Sequence, residues 1–261
     1  MNILDTIIAR KKLEIAEKKK SVPVKELEKA KFFSSPTLSL CSFLQDVHKT
    51  GIIAEYKRKS PSRGIINDRA TVEEVTKAYA LHGASGISVL TDADFFGGSL
   101  DDLLAATINE VPLLRKDFMI DEYQLVEAKA YGAEVILLIA ACLSSRELKT
   151  MAQTAKSLGL EVLLEIHNED ELGHICEEVD LVGVNNRNLK TFEVSIETSL
   201  GLINKIPKEK PAVAESGISN VDTIVTLRNA GFKGFLIGEN FMKQASPSIA
   251  FADFVNQLKA S

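Results

Sequence analysis

The sequence predicts an α/β protein of the (β/α)8 TIM-barrel class, with an N-terminal helical extension. Three observations predict it. From Gly51 onward, short apolar runs alternate eight times with helical patterns, and repeated βα units build a parallel sheet. Eight such units close into a barrel, and 261 residues suit a fold that typically takes about 250. Polar and charged residues recur at the C-terminal ends of the predicted strands, the face where such barrels hold their active sites. The alternative, an open doubly wound sheet, often carries a G-x-G-x-x-G loop after a strand, and this sequence has none.

The elements follow in chain order. Ile3, Leu4, Ile7, Ile8 and Ile15 recur at helical spacing, and this first helix ends in Lys18-Lys19-Lys20, where cations suit the helix dipole. Asp5, Glu14 and Glu17 argue against a membrane-surface helix, and the interrupted apolar pattern argues against a signal peptide. A short helix follows Pro23 and another covers 40–48. These segments form an extension, 1–50, packed onto a barrel, 51–261. No Pro/Ser-rich linker divides the chain, so 1–261 reads as a single domain. Strands are expected at 52–55, 86–91, 112–116, 135–139, 162–166, 181–185, 212–216 and 234–238. Helices are expected at 71–82, 100–108, 122–131, 145–158, 169–178, 195–206, 221–230 and 249–258. Gly83, Gly132, Gly159 and Gly231 supply helix stop signals.

Composition excludes several function classes. A net charge of -5 gives no general attraction to nucleic acid or acidic membranes. No apolar run reaches the roughly 18 residues of a membrane span. Cys41, Cys142 and Cys176 are scattered without a C-x-x-C pair. That fits neither a disulfide framework nor a zinc site and suits a reducing cytoplasm. His48 and His82 read as surface residues, His174 sits on a predicted helix, and His167 lies just past strand five, within reach of the rim. Their spacing matches no metal motif, so no metal is expected.

The stretch 51–64 organises the candidate site. It begins as an apolar strand and ends as a cationic, hydroxyl-rich loop containing Ser60. Residues two apart on a strand share a face, so Glu55 and Lys57 point the same way. A surface hairpin with a salt bridge is the plainer reading of this stretch alone. The other strand ends add Thr91-Asp92, Arg115-Lys116-Asp117-Phe118, Glu165, Asn185-Asn186-Arg187-Asn188, Glu215-Ser216-Gly217 and Gly238-Glu239-Asn240. Lys57, Lys116, Glu55 and Glu165 form the acid–base set. A Lys among carboxylates stays charged and can donate a proton, whereas a desolvated Lys can attack a carbonyl. A structural ion-pair network is the competing account. Gly217 and Gly238 follow strands seven and eight, where loops of this fold often bind phosphate. Lacking Cβ, they would let backbone N–H groups and helix N-termini approach an anion. Phe95, Phe96 and Phe118 lie in rim loops and could wall an aromatic ring.

These residues resemble the indole-3-glycerol phosphate synthase family over nearly the whole chain. The resemblance is carried by Ile3-Leu-Asp-Thr-Ile-Ile-Ala-Arg-Lys-Lys12, Ile53-Ala-Glu-Tyr-Lys-Arg-Lys-Ser-Pro-Ser62, Val89-Leu-Thr-Asp92 with Phe95-Phe-Gly-Gly-Ser-Leu100, and Leu114-Arg-Lys-Asp-Phe118. Leu164-Glu-Ile166, Gly183-Val-Asn-Asn-Arg-Asn-Leu189 and Val213-Ala-Glu-Ser-Gly-Ile218 complete it. The resemblance implies the same barrel with its N-terminal extension. It also implies a cofactor-free reaction of tryptophan biosynthesis. In it, 1-(2-carboxyphenylamino)-1-deoxyribulose 5-phosphate is cyclised, decarboxylated and dehydrated to indole-3-glycerol phosphate.

By that resemblance Lys116 is the general acid and Lys57 holds the substrate carboxylate. Glu165 is the complementary acid–base group, Glu55 supports Lys57, and Asn185 and Ser216 orient the substrate. Ser60, Arg187, Gly217, Gly238 and Glu239 match positions around phosphate and substrate. Phe96, Phe118, Leu137, Leu189 and Ile237 match the apolar wall around the ring. Two departures stand out. Asn240 follows Gly238-Glu239 where a small residue such as Ser is frequent, and Thr91-Asp-Ala-Asp94 replaces a more usual Thr-Glu. The rival readings are a Schiff-base aldolase using Lys116, a sister barrel isomerase, and a non-catalytic phosphate-binding barrel. The expected partner is a small phosphorylated molecule. Both a monomer and a pathway-enzyme partner stay open.

Overall fold

The computed structural model describes residues 3–189 and 191–261. Eight parallel strands close into a barrel. They are β1 (Ile52–Tyr56), β2 (Gly86–Leu90), β3 (Leu113–Lys116), β4 (Val135–Ile139), β5 (Glu161–Ile166), β6 (Leu181–Asn185), β7 (Ala212–Glu215) and β8 (Gly234–Ile237). Each pairs with its sequence neighbours, and β8 closes onto β1 with Ile52 opposite Phe235 and Ala54 opposite Ile237. Every expected strand is present, with ends shifted by at most one residue.

Alternation along the strands separates two apolar layers. Ile53, Leu114, Leu137, Leu163, Val213 and Leu236 form one buried cluster, which fills the barrel. Their neighbours Ile52, Ala54, Tyr56, Leu113, Ile136, Val162 and Val182 pack with the surrounding helices. The runs are therefore apolar at consecutive positions, as strands covered on both faces require. Both layers lie below the strand ends where the charged residues start.

The helices are α1 (Ile3–Ser21), α2 (Val24–Leu27), α3 (Leu40–Gln45), α4 (Val72–Leu81), α5 (Ala93–Phe96), α6 (Leu100–Ala106), α7 (Glu122–Ala130) and α8 (Ser145–Ser157), then α9 (Glu197–Leu202), α10 (Val221–Ala230), α11 (Glu239–Met242) and α12 (Pro247–Ala260). Gly83, Gly132, Gly159 and Gly231 follow four of them at positive φ, as stop signals do. α3 plugs the lower end of the barrel with Leu40 and Leu44. The Glu161 carboxylate at the foot of β5 accepts hydrogen bonds from the Leu40 and Cys41 amides, at 2.7 and 3.2 Å.

Three local expectations need correction. The helix expected at 169–178 is a 3-10 turn, Glu169–His174. Gly173 weakens any helix there, and Glu171 turns back to accept from the His167 amide at 2.7 Å. The helix expected at 195–206 is the shorter α9, followed by a 3-10 turn at Ile203–Lys205. The loop after β1 contains a small antiparallel hairpin, Lys59–Ser60 with Gly64–Ile65. The plainer reading of that stretch thus holds for its local shape.

In α1, Ile7, Lys11 and Ile15 are the buried residues, one turn apart on one face. A lysine occupies the middle of the apolar stripe, which was expected to consist of isoleucines and Leu4. Lys11 Nζ lies 2.9 Å from Asp92 and 3.0 Å from Asp117, so the charge is paired where it is buried.

Candidate active site

A cavity of about 460 Å3 opens at the C-terminal end of the strands. All sixteen site residues named from the sequence line it. Residues scattered from 55 to 239 converge because they sit near the C-terminal ends of the barrel strands or in the loops that follow, with Leu137 inside β4.

The floor is ionic. Lys116, the last residue of β3, places Nζ 2.9 Å from Glu165 Oε2 and 3.1 Å from Glu215 Oε2. Asn185, at the end of β6, donates to Glu165 Oε1 at 3.1 Å, while its own Oδ1 accepts the Arg187 amide at 3.0 Å. Just past β1, Lys57 places Nζ 2.7 Å from Glu55 Oε1, as the two-residue spacing required. Glu55, Glu165 and Glu215 are all buried, and Lys116 keeps 14% of its side chain open to the cavity.

Charge coupling sets the protonation states. Burial pulls the Lys116 ammonium toward losing its proton, but Glu165, Glu215 and Glu55 outweigh it and raise its pKa. Lys116 is therefore an ammonium ion. Burial works against an ionised Glu165, yet Lys116 and His167 hold it well below the usual carboxylate range. Glu215 goes the other way, raised by burial and by the like charge of Glu165. One ammonium thus sits between a carboxylate that stays ionised and one that retains a proton more readily, and their titrations are shared.

The walls differ in character. Phe96, carried by α5, and Phe118, just past β3, lie with ring centroids 6.0 Å apart. Asp92 caps α5 by accepting the Phe95 and Phe96 amides at 2.7 and 3.3 Å, which fixes the Phe96 backbone. Leu137 and Ile237 continue this apolar side, with Leu189 from the loop after β6. Phe96 and Phe118 face the cavity; Phe95 does not line it.

Toward the mouth lie Ser60, Arg187, Ser216, Gly217, Gly238 and Glu239. The Glu239 carboxylate is 3.1 Å from Arg63 and 3.9 Å from Arg187, so it joins the loops after β1 and β6. Ser216 and Gly217 adopt consecutive left-handed conformations, φ 66° and 76°. The first is uncommon for a residue with a side chain and marks a constrained turn. The two glycines also have close neighbours within the protein. A Cβ at Gly217 would lie 2.6 Å from Val194, and one at Gly238 would lie 2.5 Å from Glu55 Oε1. Both glycines make room for protein atoms, and Gly238 in particular admits the carboxylate of Glu55. The expected helix dipoles are also weaker: α11 is a single turn, and α10 starts at Val221, four residues past Gly217.

Sequence reasoning assigned no role to Glu215, although it ends β7 with Val213 two positions before it on the inner face. It also missed Ile3, Leu4 and Ile7, by which the extension forms part of the cavity wall. The apolar spacing in α1 pointed to a packing face but not to what that face meets. Arg115 and Asp117 belong elsewhere. Arg115 points outward from β3 to Glu127 at 2.8 Å and Asp117 at 3.2 Å, and it is 1% exposed. Among the described residues, no group of three or more His, Cys, Asp or Glu is arranged to hold a metal ion.

Comparison with known proteins converges on one family. The family model described as indole-3-glycerol phosphate synthase matches residues 4–254. A protein of that name from Bacteroides thetaiotaomicron is 44% identical over 259 residues, covering 99% of both chains. One from a Polaromonas species is 42% identical over 256 residues, covering 96% of this chain and 97% of the relative. Among solved structures, a chain of a tryptophan synthase complex from Pyrococcus furiosus superposes with a TM-score of 0.60 at 16% identity. It covers 80% of this chain and 98% of its own, a likeness of fold alone. With the profile spanning nearly all the barrel and its extension, and full-length relatives above 40% identity, this chain belongs to the indole-3-glycerol phosphate synthase family.

Proposed function

We propose that Lys116 and Glu165 drive the family's carboxy-lyase reaction here, on 1-(2-carboxyphenylamino)-1-deoxyribulose 5-phosphate. The observation that carries this is the Lys116 ammonium held 2.9 Å from Glu165 on the floor of a cavity with one aromatic and one cationic wall. The anthranilate ring lies along Phe96, Phe118, Leu137, Leu189 and Ile237. The phosphate lies near the mouth with Ser60, Arg187, Gly217 and Gly238. Glu239 positions the arginines that face it.

Ring closure needs an electrophilic ketone. Lys116 protonates the ketone oxygen as the ring carbon bearing the carboxylate attacks it, forming the carbon–carbon bond. Lys57, steadied by Glu55, holds that carboxylate. The ring is then a cyclic iminium, and Glu55 offsets its charge. Loss of CO2 returns the electron pair to the ring, which regains aromaticity, so no electron-sink cofactor is needed. The hydroxyl formed from the ketone leaves as water, protonated by an ammonium, while Glu165 takes a proton from the adjacent ring methylene and the carbon–carbon double bond of the indole forms. Asn185 and Ser216 orient the substrate through these steps. Desolvation of the floor strengthens each of these charge interactions.

The aldolase alternative requires Lys116 as a free amine to attack a carbonyl. A lysine whose pKa is raised by three carboxylates is a poor nucleophile near neutrality. Borohydride treatment with substrate separates the two: an aldolase gains covalent mass and a general-acid enzyme does not. The direct test is formation of indole absorbance and fluorescence when the purified chain meets the carboxyphenylamino sugar phosphate. No signal from folded protein would remove the reading.

We read residues 1–261 as one domain that acts in the cytoplasm. Among the described residues, no helix is long and apolar enough to cross a membrane. Light scattering of the purified chain, alone and with other enzymes of tryptophan biosynthesis, decides between a monomer and a partnered enzyme.

A further inference from the structure

We propose that His167 is a positioning residue for Glu165: as a buried imidazolium clamped by Glu171, it keeps the Glu165 carboxylate ionised and turned toward Lys116. This rests on Glu165 handling a proton in the reaction. His167 follows β5 by one residue, its side chain is 8% exposed, and it stands behind Glu165 away from the cavity. Its Nε2 lies 3.2 Å from Glu165 Oε1, close enough for an ion pair but not aligned as a hydrogen bond. The hydrogen bond to that oxygen comes from Asn185 instead. His167 thus adds charge where Asn185 adds direction, leaving Oε2 for Lys116.

The clamp is built from local chain. Glu171, on the 3-10 turn after β5, accepts from the His167 amide at 2.7 Å and sits 3.2 Å from its Nδ1. Asn168 Nδ2 donates to the other Glu171 oxygen at 3.0 Å. This accounts for a turn where the sequence suggested a helix: the turn brings Glu171 back under the ring.

Two carboxylates face the His167 ring and favour its charged form, and the Lys116 ammonium opposes it from the far side of Glu165. Glu165 comes from the same strand and Glu171 from the following turn. Lys116 lies beyond Glu165 on β3, and Glu215 beyond that on β7. Cys142, on the turn after β4, interacts with both Glu165 and Glu171, and burial pushes its thiol up to about 12, so it adds no charge. Burial alone would lower the His167 pKa, but the two adjacent carboxylates raise it to about 10. A structural histidine could satisfy Glu171 as a neutral ring. An imidazolium against a catalytic carboxylate acts on the proton affinity of that carboxylate.

The experiment pairs two variants with one spectrum. In H167Q, the acid limb of the kcat/KM profile is expected to move up by about one pH unit, a ten-fold loss on the acid side. KM on the plateau stays near wild type. E171Q, which leaves the ring in place, moves the limb in the same direction by less. In wild-type protein with 15N-labelled histidine, both His167 ring nitrogens carry protons at pH 7.5, the signal being assigned by its loss in H167Q. An unmoved acid limb in a folded variant, or a neutral ring at pH 7.5, overturns the proposal. If H167Q does not fold, the E171Q profile still decides it, and the His167 signal in the wild-type spectrum is assigned by its shift in E171Q. E165Q is measured alongside. Full activity there removes Glu165's role itself, whereas loss there with an unmoved limb in H167Q removes only His167's.

Discussion

Two buried ionic networks leave opposite faces of β3. On the outer face, Arg115 meets Asp117, Glu127, the Thr91 hydroxyl at 3.0 Å and the Gln124 carbonyl at 2.9 Å. Lys11 of α1 joins the same group through Asp117 and Asp92, and Lys18 reaches Glu127 at 3.3 Å. On the inner face, Lys116 meets Glu165 and Glu215. Both networks are buried and both shift pKa values: Lys11 and Arg115 are raised and Asp117 is lowered, burial opposing each shift and their opposite charges outweighing it. What separates them is completion. The outer network borders packed side chains, and its cations have partners on several sides. In the inner one, Glu215 Oε1 is buried without a hydrogen-bond partner and Lys116 opens onto a cavity. Burial and pairing alone therefore do not mark a site; unfinished pairing beside empty space does.

The sharpest way to break this contrast is to substitute the neighbours Lys116 and Arg115. K116M is expected to lower kcat by about 10³-fold, the scale of a lost general acid, with the fold retained by circular dichroism. Near-normal turnover in K116M would erase the distinction. R115M is expected to lower unfolding stability by about 3–5 kcal/mol in denaturant titration, because Glu127 and Asp117 lose a buried partner. Its kcat at low temperature should stay within a few-fold of wild type. A catalytic collapse in folded R115M would place the outer network in the chemistry.

A smaller effect is expected where the outer network reaches the cavity. K11M leaves Asp92 and Asp117 buried beside each other without their shared ammonium. Asp92 holds α5 and hence Phe96, and α1 carries Ile3, Leu4 and Ile7 to the wall. KM should rise by about ten-fold, consistent with roughly 1.4 kcal/mol of lost binding, while kcat changes little. An unchanged KM would make α1 a purely stabilising element.

A separate effect concerns pH and stability. The His167 pKa is raised from 6.5 to about 10, so the folded protein binds a proton that the unfolded chain releases between those values. The stabilisation is complete below about pH 6.5 and is lost as pH rises through about 10. Thermal midpoints of wild type and H167Q should therefore differ most at pH 6 and converge by pH 11. Parallel curves across that range would refute the linkage.

Much of the barrel and its rim was legible in the chain because period-two alternation and strand-terminal charge are local signals. The spacing of Lys57 two residues after Glu55, and the place of Lys116 at the close of an apolar run, are enough to say which face each occupies. Less legible was anything set by a distant partner. Glu215 and Glu165 look alike at their strand ends, and only their geometry around one ammonium gives them opposite pKa shifts. Gly217 and Gly238 read as backbone windows for a ligand, and nothing local in the chain told that Val194 and Glu55 pack beside them. Phe95 and Phe96 are adjacent and equally apolar, and the single turn of α5 decides which one enters the cavity. The turn at Glu169–His174 defied a helical pattern because Glu171 is bonded to His167 instead of continuing a helix.

Closure of the sheet has a consequence for how this pocket can change. A ring of strands has no free edge at which a slipped register could be absorbed. Sliding β3 by one position would swap Arg115 or Asp117 into the place of Lys116 and disturb both neighbouring strands. The reacting groups are thus locked in place by main-chain hydrogen bonds around the whole circumference. New substrate shapes must be accommodated by the segments after β1, β2 and β6, which can lengthen or re-fold without moving the floor.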